Sequence, residues 1–166
     1  SSKTITSRLQ GAKKLGTHET NAEESFADAL FDYMNGWNPE TSQGASVISY
    51  MWKRAPSFFD VVATTSASST VGHNLGVAPE LAFFKRRDGD AGLGDWYVSA
   101  GLNGHAFLNK NNAWAGGSTL NIANLANATT VNTGSAFIGN GYDMIIYLFA
   151  SLDGISKVGS LIKTSS

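Results

Sequence analysis

The residues most able to do chemistry in this chain are three histidines, and their spacing does not favour a metal site. His18, His73 and His105 stand far apart in the sequence. None belongs to a pattern such as His-Glu-x-x-His, which would present two imidazoles to one zinc ion. His73 opens the stretch His-Asn-Leu-Gly-Val-Ala-Pro, which is typical of a turn entering a strand. We therefore predict a structural hydrogen bond for His73 rather than a ligand role.

Three aspartates, Asp88, Asp90 and Asp95, lie in a glycine-rich stretch. Oxygen ligands at alternate positions can bind calcium, and the Asp-x-Asp start is similar to that of an EF-hand loop. The glutamate that such a loop carries at its last position is absent, because Ser99 stands there. A solvated hairpin loop is the favoured interpretation, and no metal site is predicted.

The remaining reactive groups form no recognisable catalytic set. The chain has no cysteine, which excludes disulfides, thiolate metal sites and cysteine nucleophiles. It has no Gly-x-Ser-x-Gly elbow and no glycine-rich phosphate loop. Thirteen acidic residues always offer some pair, so spacing alone nominates no glycosidase carboxylates. We predict that the protein is not an enzyme, with no catalytic residue and no cofactor.

Tryptophan offers a different kind of site, because an exposed indole can stack on the apolar face of a sugar. Trp52 and Trp96 occur in strand patterns and are predicted to lie in the core. Trp114 lies in loop-like sequence close after Asn111 and Asn112. These last three residues are the candidate contacts for a glycan or a protein partner.

The composition favours a β-rich protein with uncharged polar surfaces. The charged fraction is 15%, below the roughly 25% of an ordinary globular domain. A net charge of −1 gives no electrostatic footprint for nucleic acid. Short basic clusters at 13–14, 53–54 and 85–87 are expected at solvated strand ends. No apolar run has the length that spans a membrane, so we expect no membrane insertion.

Short strands separated by turn signals are the elements that would position these residues. Their spacing favours a mainly β protein built of β-sandwich, jelly-roll-like units. The glycine-rich stretch after residue 85 predicts a hairpin. Residues 22–34 carry apolar side chains at helical spacing, and at most a short helix is predicted there. Strands are predicted over 47–53, 58–62, 79–85, 96–98, 106–108, 119–122, 129–131, 136–139 and 142–150.

The chain also contains a second copy of part of itself. Ile48-Ser49-Tyr50-Met51-Trp52 matches Ile145-Ile146-Tyr147-Leu148-Phe149 at an offset of 97 residues. Leu9-Gln10-Gly11 matches Leu102-Asn103-Gly104 at an offset of 93 residues. Two echoes in the same order predict a window cut from a longer tandem array. Residues 1–55 would be the C-terminal half of an upstream unit, 56–155 a complete β-sandwich unit, and 156–166 the start of a following unit or a linker.

Three phrases of the sequence carry a family resemblance. They are Tyr50 to Val62, Val71 to Glu80 followed by Phe84 to Arg87, and Tyr147 to Ser151 with Gly154 to Gly159. Together they resemble tail-fibre and virion structural proteins of marine bacteriophages, cyanophages among them. The resemblance implies a non-enzymatic role in the virion and units that recur in tandem. It implies no particular catalytic or binding residue.

The expected function is therefore that of a structural segment of a phage tail fibre, spike or capsid-associated protein. Its partners would be other virion proteins and copies of itself in a homo-oligomer, and an exposed edge at 136–138 would pair with a neighbour. One alternative is a carbohydrate-binding adhesin that contacts a host surface glycan through Trp114, Asn111 and Asn112. A second alternative is a fibre-borne domain that cleaves polysaccharide.

Overall fold

The computed structural model describes residues 3–26, 48–65, 70–89, 94–101, 104–116, 120–133 and 142–159. Within these ranges the chain is mainly β, and its strands form three antiparallel sheets. The strands are β1 (Thr4–Ile5), β2 (Lys13–Gly16), β3 (Glu24–Ser25), β4 (Phe59–Thr64), β5 (Thr70–Gly72), β6 (Leu81–Arg86), β7 (Tyr97–Ala100), β8 (Gly104–Phe107), β9 (Ala115–Gly116), β10 (Thr130–Asn132) and β11 (Met144–Phe149). A 3₁₀ helix covers Arg8–Gln10, and the helix α1 covers Ile122–Leu125.

The central sheet has six strands in the order β4-β11-β6-β7-β8-β9. Strand β11 pairs along its whole length with β4 on one side and with β6 on the other. Its sequence is an unbroken apolar run, which is typical of a strand that is covered on both faces. Because side chains alternate along a strand, Ile145 and Tyr147 face one side of the sheet while Ile146 and Leu148 face the other.

The face of the central sheet that carries Ile146 and Leu148 holds the larger core cluster. The two-stranded sheet β5–β10 and helix α1 cover this face. They contribute Val131 and Ile122, which are fully buried against Ile146 and Leu148 of β11. Strand β7 adds Ser99, whose hydroxyl donates to the Leu120 carbonyl at 3.2 Å and accepts from the Ile122 amide at 2.8 Å.

The three-stranded sheet β1-β2-β3 covers the opposite face, which carries Ile145 and Tyr147. Leu15 of β2 is completely buried, and it lies among Phe59, Trp96, Ile145 and Tyr147 of the central part. The Trp96 indole also donates to the Gly16 carbonyl at 2.8 Å. The result is a layered, β-sandwich-like arrangement, with the central sheet between two outer layers. The predicted fold class, mainly β with sandwich-like packing, is confirmed.

Most of the predicted strands are found, with shifted ends. The strands predicted at 58–62, 79–85, 96–98, 106–108, 129–131 and 142–150 correspond to β4, β6, β7, β8, β10 and β11. The hairpin predicted after residue 85 is the antiparallel pair β6–β7. The strand predicted at 136–139 lies outside the described residues, and so does Asp90 of the glycine-rich stretch.

Two local predictions were wrong. The predicted strand at 119–122 is replaced from Ile122 onward by α1, because the Asn121 side chain caps this helix by accepting from the Ala123 amide at 3.1 Å. The predicted strand at 47–53 is also absent, since residues 48–54 form no regular element. In the stretch of helical spacing, residues 22–26 contain strand β3 instead of a helix, and residues 27–34 lie outside the described part.

Two turns in the described chain have the same construction, 97 residues apart. Ala55 and Phe59 form an isolated antiparallel bridge, and so do Leu152 and Ser156. In each turn the first residue exchanges two backbone hydrogen bonds with the fifth, at 2.9–3.1 Å in one case and 2.9–3.0 Å in the other. The third residue of each turn has a left-handed backbone, with a φ of 58° at Ser57 and 74° at Gly154.

The strands around the second echo are also similar in order, while Leu102 and Asn103 of the echo itself lie outside the described residues. Strands β1, β2 and β3 are three consecutive antiparallel strands, and so are β7, β8 and β9. Shifting Thr4–Ile5 by 93 residues gives 97–98, which is the first half of β7. The unit boundaries near residues 55–57 and 155–156 stay predictions.

Candidate partner-binding surface

The most unusual surface of the molecule is a run of exposed apolar side chains before β4. Ile48, Tyr50, Met51 and Trp52 are exposed by 80%, 77%, 64% and 52%. We call these four residues the apolar strip. Single exposed apolar residues are common on soluble proteins, but four within five positions form a patch of the kind that marks interaction sites.

The end of the apolar strip is tied to the central sheet by a buried carboxylate. The Arg54 guanidinium donates to Oδ1 of Asp60, the second residue of β4. The same carboxylate accepts the Val61 amide at 2.9 Å and the Asn74 amide at 2.7 Å. Asp60 is only 2% exposed, so these charge-assisted bonds replace the water that it loses on burial.

The turn at Ala55–Phe59 then sets the direction in which the strip leaves the sheet. Ser57 at its centre donates its amide to the Leu75 carbonyl at 2.7 Å. This bond holds Ser57 in the left-handed region, which is uncommon for a residue with a side chain. The strip is therefore fixed at its base, at both a side-chain and a backbone contact.

Trp52 is the part of the strip that touches the rest of the protein. Its ring lies 6.2 Å from the rings of both Phe59 and Phe149, and it meets Phe149 edge-on. Phe149 in turn contacts Phe83 at 5.4 Å between ring centroids. The prediction that Trp52 lies in the core was wrong. One side of the indole contacts this aromatic cluster, and half of the side chain stays open to solvent.

A groove of about 340 Å³ begins beside Trp52. Its walls on the sheet side are formed by Phe58, Leu81 and Phe149. The segment 156–159, which begins at the last residue of the second of the two similar turns, also lines the groove. The groove is thus a concave surface beside the apolar strip, with three aromatic side chains in its lining, and its shape is suited to an apolar side chain of a partner.

The sequence-based candidates Asn111, Asn112 and Trp114 lie together in an exposed segment between β8 and β9. Trp114 is 37% exposed. Its indole lies close over Gly104, where an added Cβ would stand 2.7 Å from Nε1. None of the three lines the groove beside Trp52, so they form a separate surface.

His73 has the structural hydrogen bonds predicted for it. Its Nδ1 accepts the Leu75 amide at 3.2 Å, and its Nε2 lies 3.0 Å from the Asn127 carbonyl. Because a carbonyl can only accept, Nε2 carries the proton and the ring is a neutral tautomer. The buried imidazole links the start of the segment after β5 to the turn before β10.

Asp88 and Asp95, the described aspartates of the glycine-rich stretch, are engaged with cations of the chain. Asp88 accepts both Nε and Nη2 of Arg86 at 3.0 Å. Asp95 is 3% exposed, accepts Asn109 Nδ2 at 2.8 Å and pairs with Lys110. In the part of the chain that the structure describes, no group of three or more His, Asp or Glu side chains could hold a metal ion.

The basic cluster at 85–87 is not the solvated strand end that the sequence suggested. Lys85 and Arg86 are 1% and 3% exposed, because β6 lies next to the central strand β11. The Lys85 ammonium donates to the carbonyls of Asn21 at 3.0 Å and Gly94 at 2.7 Å. Burial lowers the pKa of Lys85 to about 8. Arg86 stacks on the Tyr142 ring, 3.4 Å from its centroid.

Further titratable groups join the outer sheet β1-β2-β3 to the central sheet. Glu23 accepts from both Nε and Nη2 of Arg87 at 2.9 Å and from Lys13 at 2.9 Å. Burial acts to raise the pKa of Glu23, but the bonds and charges of Arg87 and Lys13 outweigh it and hold the pKa below 4.5. Burial also raises the pKa of Tyr147, whose hydroxyl donates to Gln10 at 3.4 Å. These ionisable groups hold layers together.

The chain belongs to a family described as a domain of unknown function, DUF7483, whose model matches residues 11–166. A search of curated proteins and a search of solved structures each gave no match. Among the helices of the described residues, none combines the length and the apolar character needed to cross a membrane.

Proposed function

We propose that the protein is a non-enzymatic structural module of a virion. It is a β-rich repeat segment of a phage tail fibre, spike or capsid-associated protein, and its role is to bind copies of itself and other virion proteins. The observation that carries this proposal is the apolar strip with its adjoining aromatic groove. Such a surface is suited to burial against a protein partner.

The energetics of burial support an assembly role. Covering an exposed Ile, Met or aromatic side chain stabilises by about 1.5–3 kcal/mol. Ile48, Tyr50 and Met51 are each more than half exposed, so most of this stabilisation is still to be gained. The strip is also held at its base by Arg54 and Asp60, which lowers the entropy lost when a partner binds.

The two similar turns support the tandem-repeat part of the proposal. The sequence echo at an offset of 97 residues ends at Trp52 and Phe149, and the two turns begin three residues later, at Ala55 and Leu152. The echo is therefore accompanied by the same hydrogen-bond pattern at the same offset. In repeat proteins each module buries a face against the neighbouring module, so every module carries a surface for association.

The test is to look for the protein in intact particles. Phage particles from a host that carries the gene would be purified by density gradient and their proteins quantified by mass spectrometry. We expect peptides of this chain in a fixed copy number per particle, and immunogold labelling at one place on the particle. Peptides confined to the soluble lysate, with none in the particles, would contradict the proposal.

A second candidate function, binding of a host surface glycan, is favoured by the exposed Trp114 beside Asn111 and Asn112. Indole stacking and amide hydrogen bonds are suited to a sugar ring. In glycan-array and host-cell binding assays, Trp114→Ala and Asn112→Ala would each abolish binding. Leu108→Ala, a change at an exposed apolar residue, is the matched control. Equal binding by all variants would exclude this site.

A separate assay tests the polysaccharide-cleaving alternative. Incubation with host polysaccharide, followed by measurement of new reducing ends, separates binding from cleavage. The non-enzymatic proposal expects no increase in reducing ends over a boiled sample. An increase that depends on native protein would replace it with a hydrolase.

A further inference from the structure

The apolar strip has the residue pattern of the central strand β11. Ile48, Tyr50 and Trp52 stand where Ile145, Tyr147 and Phe149 stand 97 residues later. Both segments lead directly into one of the two similar turns. The strip thus has the sequence and the exit geometry of a strand that lies at the centre of a sheet.

The surroundings of the two segments are opposite. In β11, which pairs with β4 and β6, Ile145 is fully buried and Tyr147 is 3% exposed, because Leu15 of the outer sheet packs against them. Ile48 and Tyr50 are 80% and 77% exposed. Within the described part of the chain, the backbone of residues 48–54 makes no hydrogen bond to another segment.

An unpaired backbone next to apolar side chains of high β propensity is a surface for strand addition. Ile, Tyr and Trp favour the pleated, half-buried environment of a sheet. The backbone amides and carbonyls at 48–53 would gain hydrogen bonds to a neighbouring strand, and the apolar side chains of the strip would be removed from water. Both terms favour a strand in this segment once a neighbouring strand is supplied.

We infer that the segment Ile48–Arg54 is a docking strand that becomes part of a sheet when a second copy of this chain covers it. This inference rests on the proposed assembly function and names its partner. A second copy is the fitting occupant because β4 is the end strand of the central sheet within the described residues, so its outer edge in another copy is placed to pair with one more strand. The aromatic groove beside Trp52 lies next to the strip and extends the surface available to that copy.

The test is self-association measured by sedimentation velocity over a wide concentration range. The variant Ile48→Asp/Tyr50→Asp places two charges on the strip, and Leu108→Asp places one on an exposed apolar residue elsewhere. We expect the wild type and Leu108→Asp to associate alike. Loss of two apolar contacts should weaken association of the double variant at least about 100-fold. Near-UV circular dichroism would show that its fold is retained, as expected for exposed positions.

Three other outcomes would overturn the inference. Association of the double variant with wild-type affinity would show that copies meet elsewhere, and the proposed function would stand. Monomeric wild type at every concentration, in a protein that is present in purified particles, would point to a different virion protein as the occupant. Monomeric wild type that is also absent from particles would remove both the inference and the proposed function.

Discussion

Single buried polar residues decide how the segments of this molecule are joined. Asp60 and Lys85 are buried, Glu23 is partly buried just before β3, and each of the three bonds to a segment distant in sequence. Charged groups are seldom buried without a partner, because the free energy of removing an unpaired charge from water is strongly unfavourable. Their contacts therefore fix the positions of the apolar strip and of the outer sheet.

Replacing Asp60 tests the anchor of the apolar strip. Asp60→Asn keeps the shape but removes the charge that serves the Arg54 guanidinium and two backbone amides. We expect the free energy of unfolding to fall by about 2 kcal/mol in urea titrations, since bonds to a charged group are the stronger kind. Asp153→Asn, at an exposed position, is the control. Equal stabilities of the two variants would refute the anchoring role.

Glu23 should make the fold sensitive to acid. Its pKa is lowered in the folded state, so its contribution is fully present above pH 4.5 and is lost as pH falls through the folded pKa. Glu23→Gln should be less stable than the wild type at pH 7, and the difference should shrink below pH 4.5. Urea unfolding across this range measures it, with the exposed Glu24→Gln as control. A difference that is constant with pH would contradict the prediction.

At the scale of elements, the sequence predicts a strand well where the residue pattern of a single segment is sufficient to identify it. Strand β11 is recognisable because its unbroken apolar run requires cover on both faces. The strip 48–52 carries the same pattern, yet pattern alone does not say whether neighbouring strands are near in the same chain. The burial of Lys85 was missed for a related reason. Three consecutive cations at 85–87 resemble a solvated strand end until β6 is placed beside β11.

The candidate surface was found only in part from sequence. The exposure of Trp114 agrees with its loop-like surroundings, which contain Asn111 and Asn112. The exposure of Trp52 did not follow from its strand-like surroundings. The internal echo was the signal that could have drawn attention to it, because it aligns Trp52 with Phe149, and the described part of the chain places no strand beside residues 48–54 as it does beside β11.

The second of the two similar turns offers a clean test at this scale. Gly154 has a φ of 74°, and a Cβ added there would meet nothing within 4 Å. Gly154→Ala should therefore cost only the backbone term, about 1 kcal/mol of unfolding free energy. Gly159→Ala, also in open space, should change stability by less than about 0.5 kcal/mol. Equal effects of both changes would argue against the left-handed turn.

At the scale of the whole molecule, the outer sheet β1-β2-β3 is an integral layer. Leu15 belongs to the second core cluster, together with residues of β4 and β11 and with Trp96, which immediately precedes β7. Lys85 and Arg87 add polar links from the central sheet to residues 20–23. We expect the layers to unfold together.

A substitution at Leu15 tests this cooperativity. Leu15→Ala should lower the unfolding free energy by about 2–5 kcal/mol, because it leaves a cavity in a closed core. Leu9→Ala, at a residue that is 42% exposed, is the matched control. Thermal unfolding followed by tryptophan fluorescence should show one transition that moves down only for Leu15→Ala. An unmoved transition would mean that the outer sheet contributes nothing to the core.

The molecule combines a layered core with an exposed segment whose residue pattern matches that of β11. Hydrogen exchange at the amides of residues 48–54, measured in dilute and in associated protein, tests this most directly. We predict coil-like exchange in the dilute sample and strong protection in the associated one, while β11 stays protected in both. Exchange of 48–54 at the coil rate in fully associated protein would contradict the assignment of this segment as a docking strand.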